Sequence, residues 1–163
     1  MLKKLRTILK RGIRQDTEIK DLRDFNQKFS LIINNTPVHL TKRKLKERAE
    51  FLQEELNELR EASAKQDLEG IADALVDLVY VAKGTAVMLG LPWDELWADV
   101  HGANMRKVRG ISHRNHAVDC IKPPGWRGPV GHQILVDAGY DRQAFLEPFS
   151  LNKINEGLCH DDD

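Results

Sequence analysis

The sequence predicts an all-α protein, an antiparallel helical bundle of about four main helices with an irregular C-terminal extension. Three observations carry this. Apolar residues recur at steps of three and four from Leu45 to Leu59, and the run from Ile71 to Met88 is apolar or small almost throughout; both patterns suit helices rather than strands. Turn residues punctuate these stretches at Asn34-Asn35-Thr36-Pro37, at Ser63 to Gly70 and at Gly90-Leu91-Pro92. From Gly110 onward the periodicity fades, and Lys122-Pro123-Pro124-Gly125-Trp126-Arg127-Gly128-Pro129 excludes a helix.

The totals set bounds on function. A chain of 163 residues suits one domain with a tail. It divides into a basic N-terminal segment (1–15), a helical domain expected to carry the chemistry (16–109) and a loop-rich C-terminal extension (110–163). Lys plus Arg and Asp plus Glu balance at 25 each, so no general basic field argues for nucleic acid. Cys120 and Cys159 are the two cysteines, both in the less regular part. They imply no disulfide framework and suit a reduced, cytoplasmic protein. No charge-free apolar run reaches the ~18 residues of a membrane span.

Residues 1–15 carry Lys3, Lys4, Arg6, Lys10, Arg11 and Arg14 and no acid, with Leu2, Leu5, Ile8 and Leu9 at helical spacing. Such a segment can lie on an anionic membrane or serve as a transit peptide; we expect a frayed helix or extension without membrane contact. A first helix is expected over 16–33, capped by Asp16 or Thr17, with Leu22, Phe25, Phe29, Leu31 and Ile32 as its apolar face. A second begins near Thr41, a fair N-cap. Ser63 to Gly70 forms a tight antiparallel return. The third spans Leu68 to Leu89 and ends at Gly90; the fourth begins at Pro92 and runs to about Val108. A loop or short hairpin follows, and 131–150 holds one more short helix. His113, His116 and Cys120 have the spacing of soft metal ligands, but no second cysteine pair accompanies them. Asp161-Asp162-Asp163 reads as a tail.

The chemistry is expected in two acidic patches. The first is Glu54-Glu55-Leu56-Asn57-Glu58, the second Asp73-Ala74-Leu75-Val76-Asp77. Residues three and four apart share a helix face, so Glu55 and Glu58 are neighbours, as are Asp73 and Asp77. With Leu52 at zero, Glu55 falls at about −60° and Glu58 at about −120°, flanking the apolar stripe, while Glu54 at about −160° points furthest outward. Asp73 and Asp77 lie on the most apolar helix and are expected in or near the core. Buried carboxylates need a partner, and a hard divalent cation held by carboxylates of both patches would supply one. The competing reading is a solvated face for the glutamates and Arg or Lys partners for the aspartates. His101, Asn104, Arg106, Lys107 and Arg109 make the end of the fourth helix polar and basic. Such donors suit a polyphosphate, as they also suit a helix C-terminus.

In their order along the chain these features resemble the all-α nucleoside triphosphate pyrophosphohydrolases, the MazG-like and phosphoribosyl-ATP pyrophosphohydrolase-like group. The resemblance runs from about Phe25 to Trp126. It rests on the EExxE of Glu54 to Glu58, on Ala72 to Val81, on Val100 to Lys107, and on Lys122 to Trp126, which is similar to a loop of the smaller dUTPase-like members. It implies a helical homodimer or homotetramer that uses Mg2+, with Mn2+ as a substitute, to cleave a nucleoside triphosphate between its α- and β-phosphates. By position, Glu55, Glu58 and Asp77 match metal ligands, and Glu54 matches the residue that orients or deprotonates the attacking water. Asn104 and Lys107 match phosphate or sugar contacts; Arg106 and Trp126 join them as expected substrate contacts. The family's second motif, ExxD, would place Glu at position 74, where this chain has Ala74. Asp73 is the expected replacement, although it lies ~100° around the helix; Glu69, a full turn earlier, is the other candidate. The rival expectation is a catalytically weak nucleotide-binding protein or a structural helical oligomer.

Overall fold

A computed structural model describes residues 17–111 and 118–141. The basic segment 1–15, His113, His116, Cys159 and the Asp161–Asp163 tail lie outside them. Helix α1 spans Thr17–Lys28, α2 Lys42–Lys65, α3 Leu68–Leu89 and α4 Trp93–Met105; strands β1 (Val108–Ile111) and β2 (Val118–Ile121) precede a short α5, Gly131–Asp137. The architecture is mostly helical, as expected, with one two-stranded antiparallel hairpin in register Val108↔Ile121 to Ile111↔Val118.

Three successive helices stop in the same way. After α1, Leu31 N–H donates to Asn26 O and Ser30 N–H to Gln27 O; after α2, Asp67 N–H donates to Ala62 O and Gln66 N–H to Ser63 O; after α3, Leu91 N–H donates to Ala86 O and Gly90 N–H to Val87 O. Each pair satisfies carbonyls that a helix end leaves open and puts one residue in the left-handed region. Those residues are Ser30 (φ 54°), Gln66 (φ 54°) and Gly90 (φ 66°). The glycine makes the third stop visible in the sequence. Ser30 and Gln66 do not, so α1 ends at Lys28 rather than near Ile33, and the α2–α3 return is only Gln66-Asp67. Gly90 is also required by space, since a Cβ there would lie 2.1 Å from Thr36 O.

Helix starts follow ordinary capping. The Thr41 hydroxyl accepts from Lys44 N–H (3.2 Å), and the Asp67 carboxylate from Gly70 N–H (3.1 Å). Helix α4 ends at Met105, three residues earlier than expected, because Val108 already pairs in the hairpin.

Helices α2 and α3 form an antiparallel pair, and α1 packs across the C-terminal half of α3. The core lies at this end: Leu22, Leu40, Ala86, Val87 and Met88 are buried. The charged and amide side chains inside it are partnered. Lys83 pairs with Glu18, Asn26 donates to Ile32 O (2.9 Å), and Arg48 donates to Thr85 Oγ1 (3.0 Å) and Val81 O (2.9 Å). Burial pushes the Arg48 guanidinium below its usual value.

The N-terminal half of α3 differs from expectation. Only Ala74 is buried there; Leu75, Val76, Val79 and Tyr80 are exposed, Asp73 is exposed and Asp77 half-buried. The cause is the length of α1. Its Phe25 ring meets Tyr80 edge-on at 5.6 Å, and the helix stops three residues later, so below Tyr80 α3 has α2 beside it but not α1.

Candidate active site

The acidic patches meet where the bundle is open. Helix α2 carries Glu54, Glu55 and Glu58, and α3 carries Asp73 and Asp77, antiparallel to it. Glu55 is half-buried, Glu54 and Glu58 exposed. Partial burial, and then the charges of Glu58, Asp77, Glu54 and Asp73 in that order, hold the Glu55 carboxyl above its ordinary 4.5. The other four expected acids therefore all act on Glu55, Asp73 least.

The other acids of α2 show what is unusual here. Glu47 contacts Lys44 and Arg43, Glu50 contacts Lys46, and Glu61 contacts Lys65, each three or four residues away. Among the described residues, no ion pair involves Glu54, Glu55, Glu58, Asp73 or Asp77. At the helical neighbours of Glu55 the chain places Phe51 and Leu59, and at those of Glu58 it places Glu54, Glu61 and Ala62. The sequence thus withholds cations where the structure gathers acids. Asp73 is exposed, against the expectation that it lies in or near the core, while Asp77 is half-buried; among the described residues neither pairs with Arg or Lys, against the rival expectation.

A divalent cation fits this donor set in chemistry and in charge: five hard oxygen ligands, mutually repelling and uncompensated. Their side chains are not gathered into a ligand cage. Among the described residues, no three His, Cys, Asp or Glu groups converge closely enough to hold a metal ion. Asp73 borders a cleft of about 580 Å³ with Asp67, Glu69, Gly70, Ala72 and Val76. Ala74, where the family pattern expects Glu, is 1 % exposed against the neighbouring helices.

The expected substrate contacts lie elsewhere. Asn104 and Arg106 are exposed and Lys107 half-buried at the end of α4, which packs chiefly against α5. Arg106 donates to Arg127 O (3.2 Å), and the Trp126 indole N–H to Ala103 O (2.9 Å), with Lys122 Nζ 4.6 Å from its ring. Trp126 thus fastens the 122–127 loop to α4. No described hydrogen bond joins this region to the acids. An aromatic border, to which sequence reasoning gave no role, flanks the acids: Phe51 lies four residues before Glu55 and Tyr80 three after Asp77, on the stripes that carry the carboxylates.

Two antiparallel helices with unpaired acids at these positions are matched by one family model. Its description is phosphoribosyl-ATP pyrophosphohydrolase, and it covers residues 22–104. The chain belongs to that family. The match runs from Leu22 in α1 to Asn104 in α4, so the phosphoribosyl-ATP pyrophosphohydrolase-family region is the four-helix unit with both acidic patches. The hairpin and the Lys122–Trp126 loop fall outside it. Family membership assigns a pyrophosphohydrolase-like hydrolase activity in general terms. No curated protein matches the chain. Among the described residues no helix is long and apolar enough to cross a membrane.

Proposed function

We propose that the protein is a divalent-metal-dependent nucleoside triphosphate pyrophosphohydrolase, converting a (d)NTP to the monophosphate and pyrophosphate. One observation carries this: on two antiparallel helices, the carboxylates of Glu54, Glu58, Asp73 and Asp77 act on that of Glu55, and among the described residues no ion pair joins any of the five to a cation. Glu55, Glu58 and Asp77 would hold the metal, with Asp73 at the outer edge. Mg2+, or Mn2+ in its place, would supply there the positive charge that a polyphosphate and its leaving group require. Glu54, the most outward of the glutamates, would orient a water and take its proton as the oxygen bonds to the α-phosphorus and the bond from that phosphorus to the α–β bridging oxygen breaks, releasing pyrophosphate. Glu55 and Glu58 keep that water's surroundings acidic and polar.

Asn104, Arg106, Lys107 and Trp126 would act on phosphates or sugar only when brought to the acids by a neighbouring copy. A homodimer or homotetramer is therefore part of the reading. Leu75 and Val79, both about half exposed, offer a second copy an apolar face some ~120–160° around α3 from Asp73 and Asp77. Such a contact would leave the acids open. A preference for dUTP, which the Lys122–Trp126 loop suggested, would depend on the same assembly.

A second reading, nucleotide binding with weak turnover, is favoured by buried Ala74 in place of a carboxylate. The test is a panel of ribo- and deoxynucleoside triphosphates, with and without Mg2+, scored for monophosphate and pyrophosphate. Mg2+-dependent pyrophosphate release supports the proposal. Release of inorganic phosphate refutes it, and binding without product selects the second reading.

A further inference from the structure

We infer that Phe25 on α1, Phe29 in the turn that follows it, Tyr80 on α3 and Phe51 on α2 form the subsite for the substrate's nucleobase and hold it by stacking, with weak discrimination among bases. This rests on the pyrophosphohydrolase reading of the acids.

The four rings are 38 %, 52 %, 39 % and 46 % exposed in that order, a concentration of bare aromatic surface on a small domain. They are organised. The Phe25 and Phe29 centroids are 4.7 Å apart and tilted, and Phe25 meets Tyr80 edge-on at 5.6 Å. Their place is set by helix spacing. Phe51 precedes Glu55 by one turn, and Tyr80 follows Asp77 by less than one. Because α2 and α3 run antiparallel, both displacements go toward the same end of the acidic groove. A nucleotide has the matching layout, an aromatic base joined through a sugar to a chain of phosphates. Cations border the rings: Lys28 Nζ lies 5.2 Å from the Phe29 centroid and Arg48 Cζ 5.2 Å from that of Phe51.

Weak discrimination follows from the polar groups nearby. Reading a base edge takes amides or hydroxyls held in place against it, and the two polar side chains that hydrogen bonds hold beside the rings, Asn26 and Arg48, are committed to other partners. Asn26 is buried and donates to Ile32 O. Arg48 is held by Thr85 and Val81. The Tyr80 hydroxyl is the one polar atom on the four rings. Stacking by itself tolerates any base, because every base has a π-face.

The test uses Phe29→Leu and Tyr80→Leu in the full chain, with folding checked by circular dichroism. Steady-state rates are measured with ATP, GTP, CTP, UTP and dUTP, and inorganic tripolyphosphate is assayed as substrate or competitive inhibitor. In parallel, aromatic proton resonances are followed without metal as AMP, UMP or ribose 5-phosphate is added. KM should rise roughly tenfold for every nucleotide, with kcat little changed and tripolyphosphate affinity unaltered. AMP and UMP should shift the ring resonances, and ribose 5-phosphate should not. Unchanged KM in both variants overturns the inference. So does equal response to ribose 5-phosphate, a loss confined to one base, or ring resonances that answer only to protein concentration, which would mark an interface between copies. If no nucleotide is turned over at all, the reaction reading fails while the metal-free titration still decides the subsite.

Discussion

The two ends of the α2–α3 pair follow opposite rules. At the closed end, α1 lies across α3, the core residues are buried, and charged groups inside it are matched: Lys83 by Glu18, Arg48 by a hydroxyl and a carbonyl. At the open end α1 has stopped, Leu75, Val76 and Val79 face outward, and five carboxylates share a region with no cation. A protein that used both ends for stability alone would pair those acids as it pairs Glu47, Glu50 and Glu61. The contrast separates residues that hold the fold from residues kept available for a ligand.

The strongest way to break the comparison is at the centre of the acids. Glu55→Gln keeps the shape and removes the charge on which the others act. Turnover should fall by more than the roughly 10–100-fold that loss of a ligand's supporting partner costs, with an unchanged helical spectrum; retained turnover would move the site elsewhere. At the closed end the expected damage is to folding. Gly90→Ala puts a Cβ into a left-handed turn and against Thr36 O. Such strain costs about 1–3 kcal/mol, so the melting temperature should drop by roughly 5–10 °C, and no drop would mean the turn relaxes freely.

Acidity offers a finer probe. The folded Glu55 carboxyl binds its proton more tightly than the unfolded one, so the folded state holds more protons across that window. Its contribution is therefore neutral below the unfolded pKa near 4.5 and becomes a penalty as pH rises through the higher folded value. Metal-free stability should decline over that acidic range, and Glu55→Gln should flatten the decline. At pH 7, Mg2+ should raise the melting temperature of the wild type and not of the variant; identical shifts would detach the metal from Glu55. The smallest effect belongs to a paired acid. Glu50→Gln loses a surface contact to Lys46 and should change stability by less than about 0.5 kcal/mol and turnover not at all. A large loss there would erase the distinction between paired and unpaired acids.

Much of this was legible in the sequence, for local reasons. The helical period, Thr41 as a cap, Leu68 to Leu89 as a helix ending at Gly90, and the two acidic patches all depend on residues within a turn or two of one another. Even the absence of Lys or Arg beside Glu55 and Glu58 can be read from the chain. The helix stops at Ser30 and Gln66 could not be read, because polar residues adopt the left-handed turn there only under the demand of the chain reversal.

Burial along α3 was decided by tertiary structure. Its apolar pattern is nearly continuous, yet only the half crossed by α1 becomes core, because a twelve-residue helix cannot cover a longer one. That mismatch leaves Asp77 half-open beside Glu55, and it leaves Tyr80 and its neighbouring rings bare. Chemical identity and local conformation come from short-range forces that the sequence displays. Which face meets water depends on how far a distant segment reaches, and that is fixed only when the helices pack.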